Sequence, residues 1–506
     1  MKSMRDIQNP QMILGQIGVS SIELDPKCRD DITVILRGLQ YIYITPDVQE
    51  RVFEILRQVI PNRTGYGLTA EQQEQFADPN LGRPGMNQWK ILVLGVLRLK
   101  LGADYDRVHN LSNNHKTIRQ MLGHSDWYDS TQYSLQAIKD NVSLFTPDIL
   151  DQISLEVVKT GHSLIKQCSE KLAGRCDSFV AKTDVSFPTD IKLLYDSIRK
   201  SITETYGLAQ QYQLEGWRQH NYNLKQFKKQ YRKIQKLKHS NSKNEAKKEI
   251  RKQKIQEEHQ RYIEMGKESI EKSEITLQQA KEYGAVEYET LKLERYLNYA
   301  RIFVDQINRR VILGEEIPHI EKIFSIFEPH TEWIKKGKAG VPVELGLRVC
   351  IMEDQHQFII HHKVMEKETD DKIAVEMVTE SQKKFPQLTV ASFDKGFHSP
   401  KNQEELKEYL EQVIMPKKGR LCEADKQREG SEEFKSLRHQ HSAVESAINA
   451  LEHCGLDTCP DQGINGFKRY VSLAVLSRNI ARLGAIIHQQ EREREQRKRG
   501  SYKKSA

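Results

Sequence analysis

The hydrophobic pattern of this chain changes period along its length, and those changes limit the available folds more than any other feature. Up to about residue 170 apolar residues recur every three or four positions, as in Ile32, Ile35, Leu36 and Leu39, then Val48, Val52 and Leu56, which predicts helices. At RCDSFVAKTDVSFPTD a β-rich run begins, and Pro188 with Thr189 and Asp190 signals a turn into a helix. Helical spacing returns from Ile191 to about Val311. From Glu344 strands and helices alternate: ELGLRVCIME and QFIIHHKVME form a hairpin about Asp354 and Gln355, DDKIAVEMVTESQKKF is helical, and QLTVASFD is a strand. NQEELKEYL adds a helix and QVIMPKKG a short strand, and His441 to Gln490 are helical apart from Gly455 to Gly466.

An all-α region is therefore expected over residues 1–170. An α/β core follows, with its first strand in 171–190 and its remainder in 341–488, divided by a mainly helical insertion over 191–340 and ending in a basic tail, 489–506. A length of 506 residues fits this division, since one hydrophobic core stops growing at roughly 250–300.

Charge narrows the partners. Lys and Arg outnumber Asp and Glu by 78 to 70, and much of the excess is local, between Gln226 and Arg261 and in the terminal RKRGSYKKSA. Clustered positive charge suits a polyanion. The segment QFKKQYRKIQKLKHSNSKNEAKKEIRKQKIQEEHQRY is poor in large apolar residues and reads as a helical hairpin bent near His239 to Asn244, either a solvated coiled-coil spacer or a clamp on a DNA backbone. The seven cysteines form no CxxC pair, and an odd number argues against a disulfide framework. With no run of about 18 apolar residues and no apolar stretch in MKSMRDIQNP, a soluble, cytoplasmic protein without a membrane partner is expected.

After the turn LGRPGMN, a helix from about Trp89 to Leu101 is followed by DYDRVHNL, an SNN break and HKTIRQMLG. Two short helices about a tight break suggest a helix-turn-helix, in which His115 to Leu122 would present Lys116, Arg119 and Gln120 to the major groove. A plain helical bundle has the same pattern.

Three carboxylates suggest the chemistry. Cutting DNA with water, or joining a 3′-hydroxyl to it, needs an activated oxygen and a stabilised leaving alkoxide, which two divalent ions about 4 Å apart supply. Mg2+ and Mn2+ prefer carboxylate oxygens. Asp177 lies in the strand CDSFVAKT, and Asp394 closes TVASFD at the carboxyl end of a strand, where open α/β sheets carry their sites. In HSAVESAINALEHCG the stripe Val444, Ile448, Leu451 would pack on the sheet, leaving His441, Glu445, Asn449 and Glu452 as the neighbouring stripe. Asp184 and Asp190 compete with Asp177, and Glu452 with Glu445, although Glu452 lies two turns along the helix and is expected to miss the site. His361 and His362 are adjacent in a strand and point to opposite faces. Cys454 and Cys459 with His453 lack zinc-ligand spacing, and no Walker loop, GxSxG elbow or dinucleotide fingerprint occurs.

From Asp177 to Gly484, the insertion apart, the chain resembles the DDE transposases of bacterial insertion sequences, particularly the ISNCY-like group. The matching stretches are DSFVAKTDVSFPTD, SFDKGFHSP and HSAVESAINALEHCGLDTCPDQGINGFKRYVSLAVLSRNIARLG, in order. The resemblance implies a ribonuclease-H-like core with Asp177, Asp394 and Glu445 as catalytic metal ligands. It also implies an N-terminal part that binds terminal inverted repeats, and strand transfer into target DNA by a homodimer or larger complex on double-stranded DNA. Asp184 stands where similar sequences carry Asn. Lys395 and His441 are expected to contact the scissile phosphate or its neighbours. The alternatives are a metal-dependent DNA nuclease without joining activity and a transposase-derived DNA-binding protein that has lost catalysis.

Overall fold

The structure, a computed structural model, describes residues 6–8, 12–25, 27–28, 30–59, 85–127, 129–165, 171–239, 245–335 and 342–504. They fall into two compact units. One combines residues up to Asp184 with those from Ile334 onward, and the other is Val185–Trp333. The insertion thus begins and ends earlier than the expected 191–340, because the turn through Pro188 belongs to it.

In the first unit the described residues form seven α-helices before the sheet: α1 (Asp31–Ile44), α2 (Pro46–Leu56), α3 (Gln88–Lys100), α4 (Tyr105–Asn114), α5 (Lys116–Met121), α6 (Leu135–Val142) and α7 (Pro147–Leu164). Four of them, α1, α4, α6 and α7, start at capping side chains: Asp30, Asp104, Ser134 and Thr146 each accept a backbone N–H from the first turn. Helix α3 is buried nearly all round, as QWKILVLGVLRLK requires. Strand β1 (Leu172–Thr183) follows.

The second unit contains α8 (Asp190–Gln211), α9 (His220–His239), α10 (Glu245–Glu282) and α11 (Glu287–Ile307). The bend expected between α9 and α10 lies in residues outside the described ones. The unit has its own core, in which Phe227 and Tyr262 stack with ring centroids 4.5 Å apart among Leu194, Ile198, Leu297 and Phe303.

Back in the first unit, Ile334 and Lys335 end β2 (Glu332–Lys335), and β3 (Val343–Asp354) and β4 (Ile359–Met365) form an antiparallel hairpin. Then come α12 (Asp370–Lys384), β5 (Leu388–Phe393), α13 (Pro400–Tyr409), β6 (Gln412–Ile414), α14 (Glu423–Gly430), α15 (Glu432–His441), α16 (Ala443–Leu451), β7 (Thr458–Cys459) and α17 (Gly463–Lys504). The sheet is mixed. Strand β1 runs antiparallel to β3, with Asp177 opposite Ile351, and parallel to β5, with Cys176 opposite Phe393. Strand β6 extends the parallel side, and β7 pairs only with Lys182 and Thr183.

Alternation along β1 sends Phe179 and Ala181 into one core and Cys176 into another, shared with α12 and α13. The first of these cores also takes in the N-terminal helices, α16 and α17. The helical region before β1 is therefore not a separate body from the sheet, contrary to the domain order expected from sequence. Close backbone approach explains the joining of α1 to α17: a Cβ on Gly484 would lie 2.1 Å from the Val34 carbonyl oxygen, and one on Gly38 would lie 2.3 Å from that of Ile480. Helix α17 is long and apolar enough to cross a membrane, but 78% of its apolar window is buried within the protein.

Candidate active site

Strand β5 stops at Phe393, level with Cys176, while β1 runs on to Thr183. Unequal strand length leaves a notch in the sheet, and a cavity of about 660 Å³ opens over it. Asp177, Asp394, His441, Glu445 and Glu452 line this cavity with Arg348 and Lys335. Three segments far apart in sequence thus bring the three expected carboxylates to one space.

Each is held differently. Asp177 sits inside the sheet, where its Oδ1 accepts the Ser178 N–H at 2.7 Å. Burial raises its carboxyl pKa to about 7 against that hydrogen bond, and the charges of Asp394, Asp370 and Glu445 push the same way. Asp394 is exposed where the chain leaves β5 for a single 3-10 turn, Lys395–Phe397. Glu445 lies in the first turn of α16, which buries Val444, Ala447 and Leu451 and leaves the glutamate on the exposed border. His441 ends α15, with its Nδ1 3.0 Å from Ser392 Oγ. Ser392 Oγ also lies 3.3 Å from the Gly174 carbonyl oxygen, so this hydroxyl bridges His441 and β1. Burial lowers the His441 pKa, keeping the ring neutral.

Sequence reasoning missed three groups. Asp370, in the first turn of α12, accepts from Ser178 Oγ at 2.6 Å and adds a third charge beside Asp177. A Cβ at Gly396 would come 2.9 Å from its Oδ2, so the turn after Asp394 packs closely against the Asp370 carboxylate. Arg348, opposite Val180 on β3, reaches the cavity with no carboxylate partner among the described residues. A lone arginine inside the apolar strand ELGLRVCIME was the available signal. Glu452 also lines the cavity, which corrects the expectation that it would miss the site. Only Glu445 of the two figures among the charges that raise the Asp177 pKa.

The rivals to Asp177 lie elsewhere. Asp184 is exposed and lines no part of the cavity, and Asp190 pairs with Arg310 at 3.0 Å in the second unit. Lys395 is exposed beside Asp394 but does not line the cavity. His361 lies 3.3 Å from Lys384 Nζ, whereas His362 contacts Ser472 and Asp151.

The helix-turn-helix expectation needs correction. Helix α4 runs through the SNN segment to Asn114, and the break falls at His115. Arg119 donates to the carbonyls of Asn113, Asp129 and Thr131, and buried Gln120 donates to Asp126 at 2.9 Å. Those two side chains fasten the following loop, and of the three expected DNA contacts only Lys116 is presented to solvent.

The donor set fits Mg2+ or Mn2+. It is all oxygen, and crowding of like charge around Asp177 is what a divalent cation relieves. Among the described residues no three His, Cys, Asp or Glu side chains form a cage for one ion. Ions here would each rest on one or two carboxylates, completed by water and phosphate oxygens, as Mg2+ commonly does. No family model, curated protein or solved structure matches this chain.

Proposed function

We propose that this protein is a DNA transposase that cuts DNA strands and joins the freed 3′-end to target DNA, with divalent metal ions held by Asp177, Asp394 and Glu445. The observation that carries the reading is the convergence of those carboxylates, from a central strand, a strand end and a packed helix, on one cavity. A mixed sheet with Asp177 on its central strand supports the ribonuclease-H-like core that the sequence resemblance implies.

The ions, when bound, supply activation of the oxygen nucleophile and stabilisation of the departing alkoxide. The chain's residues do the rest. Asp177 Oδ1 is oriented by the Ser178 N–H, which it accepts at 2.7 Å. Asp394 and Glu445, exposed on a turn and on the first turn of a helix, face the same cavity. Arg348 brings a positive charge to the cavity for a non-bridging phosphate oxygen. His441, anchored through Ser392, brings an imidazole to the cavity that can take part in proton transfer.

Joining is the property that separates this reading from a plain nuclease using the same carboxylates. Purified protein, Mg2+, a labelled duplex ending in the DNA that flanks its coding region, and a supercoiled plasmid provide the test. Labelled end covalently joined to the plasmid is expected. Cut ends with no joined product identify a nuclease, and an intact duplex removes the enzymatic reading.

A further inference from the structure

Helix α9 has no Asp or Glu in its 20 residues, HNYNLKQFKKQYRKIQKLKH. Five of its cations, Lys225, Lys228, Lys229, Arg232 and Lys236, are exposed. At 100° per residue they fall within an arc of about 100° and span about 16 Å of helix. The opposite side carries Phe227 and Ile234 into the core of the second unit, and Gln230 is held there by Glu258. The helix is thus locked in rotation with its cationic face outward.

Several other cations of that unit are paired, although Lys252, Lys254 and Lys267 have no carboxylate partner among the described residues and are not gathered with acid-free neighbours on one helix face. Lys233, on the margin of the stripe, pairs with Glu258 at 2.6 Å; Lys281 pairs with Glu294 at 2.6 Å; and Arg301 and Arg309 have carboxylate partners. The five stripe cations have none among the described residues. Leaving aligned positive charges uncompensated makes the unit pay repulsion that a nearby anion array removes.

We propose that the Lys225–Lys236 face of α9 docks on the sugar-phosphate backbone of duplex DNA without reading its sequence. About 16 Å corresponds to about five phosphates of one strand at 3.4 Å of axial rise each, so the charges match in number and length. Four of the five cations are lysines, which act as point charges on phosphate and lack the bidentate fork suited to base edges. A membrane surface fits less well, because the apolar side of α9 is buried and Tyr222 is the only large apolar side chain exposed on it among the described residues. The choice of DNA among polyanions rests on the strand-cleavage reading above, but the stripe lies outside the cavity.

The test uses the full chain without divalent metal, so that no cleavage chemistry enters. Binding of a labelled duplex of arbitrary sequence is measured over a range of salt concentrations for wild type and for a variant with all five cations changed to Gln. The slope of log K against log salt is expected to shrink by about 4.5, equally on unrelated sequences. Lys228→Gln with Arg232→Gln should lower it by about 2, whereas Lys281→Gln with Arg301→Gln, which removes the same charge from paired positions, should leave it nearly unchanged. An unchanged slope in the five-site variant overturns the proposal. So does an equal loss in the paired-site control, which would make net charge the cause. Vesicles containing phosphatidylserine give the other arm: binding by wild type that the five-site variant loses, with the DNA slope intact, would assign the face to a membrane. A chain that fails to cut DNA yet shows the slope change refutes the enzymatic reading alone.

Discussion

Changing Gly484 to Ala adds one methyl group, and the structure gives it a definite sign. In an unobstructed helix, glycine to alanine stabilises by about 0.5–1 kcal/mol, because the unfolded chain loses backbone freedom. At Gly484 the new carbon would lie 2.1 Å from the Val34 carbonyl oxygen, so reaching ordinary contact at 3.4 Å needs α1 and α17 to separate by about 1.3 Å. Such overpacking costs about 1–3 kcal/mol and exceeds the propensity gain. Gly207, in α8, is the matched control, since nothing lies within 4 Å of its added carbon and its substitution should stabilise. Hydrogen exchange followed by mass spectrometry reads each helix in the intact chain. Peptides from α1 and α17 should exchange faster in Gly484→Ala, and those from α8 more slowly in Gly207→Ala. Unchanged or slower exchange in α1 and α17 would refute the close helix contact and the single core built on it.

The remaining predictions concern charge. His259 is buried with Nδ1 2.6 Å from the Ile255 carbonyl, and burial lowers its pKa to about 4. Its unfolded form binds a proton near pH 6.5, so stability of the second unit should fall as pH drops from about 6.5 to 4, by up to about 3 kcal/mol. Urea unfolding of His259→Leu should show a flatter pH dependence over that range, and an identical one would contradict this. Arg119→Ala frees three backbone carbonyls and should lower the melting temperature, whereas Lys116→Ala should change stability by less than about 0.5 kcal/mol. Arg348→Gln should slow DNA cleavage by about 10–100-fold with the melting temperature unchanged, and a wild-type rate would remove Arg348 from the chemistry.

Strand and hairpin positions were legible because β3, β4 and β5 alternate or run apolar between turn residues, and the carboxylates of the cavity stand out by their places in those elements. Other features depend on tertiary distances that no local pattern encodes. Phe227 and Tyr262 look like isolated aromatics in a lysine-rich stretch, yet they stack within a core supplied by α8 and α11. Gly38 and Gly484 are visible as helix glycines, but their pairing joins the chain's two ends. Arg119 and Gln120 have the residue types of a reading helix and are engaged by a loop that follows them. The notch arises from β5 being shorter than β1, a difference that becomes meaningful only in register.

On the proposed reading, Asp177, Asp394 and Glu445 act together on DNA. Its most direct measurement is Mg2+-dependent cleavage of the labelled end duplex by Asp177→Asn, Asp394→Asn and Glu445→Gln, with DNA binding and melting temperature followed in parallel. These substitutions keep size and hydrogen bonding while removing charge. Each is expected to reduce cleavage by at least about 100-fold with binding and stability near wild type, and double replacements should add little to single ones. Asp184→Asn and Glu452→Gln should retain substantial activity. Wild-type cleavage by all three main variants would contradict the account.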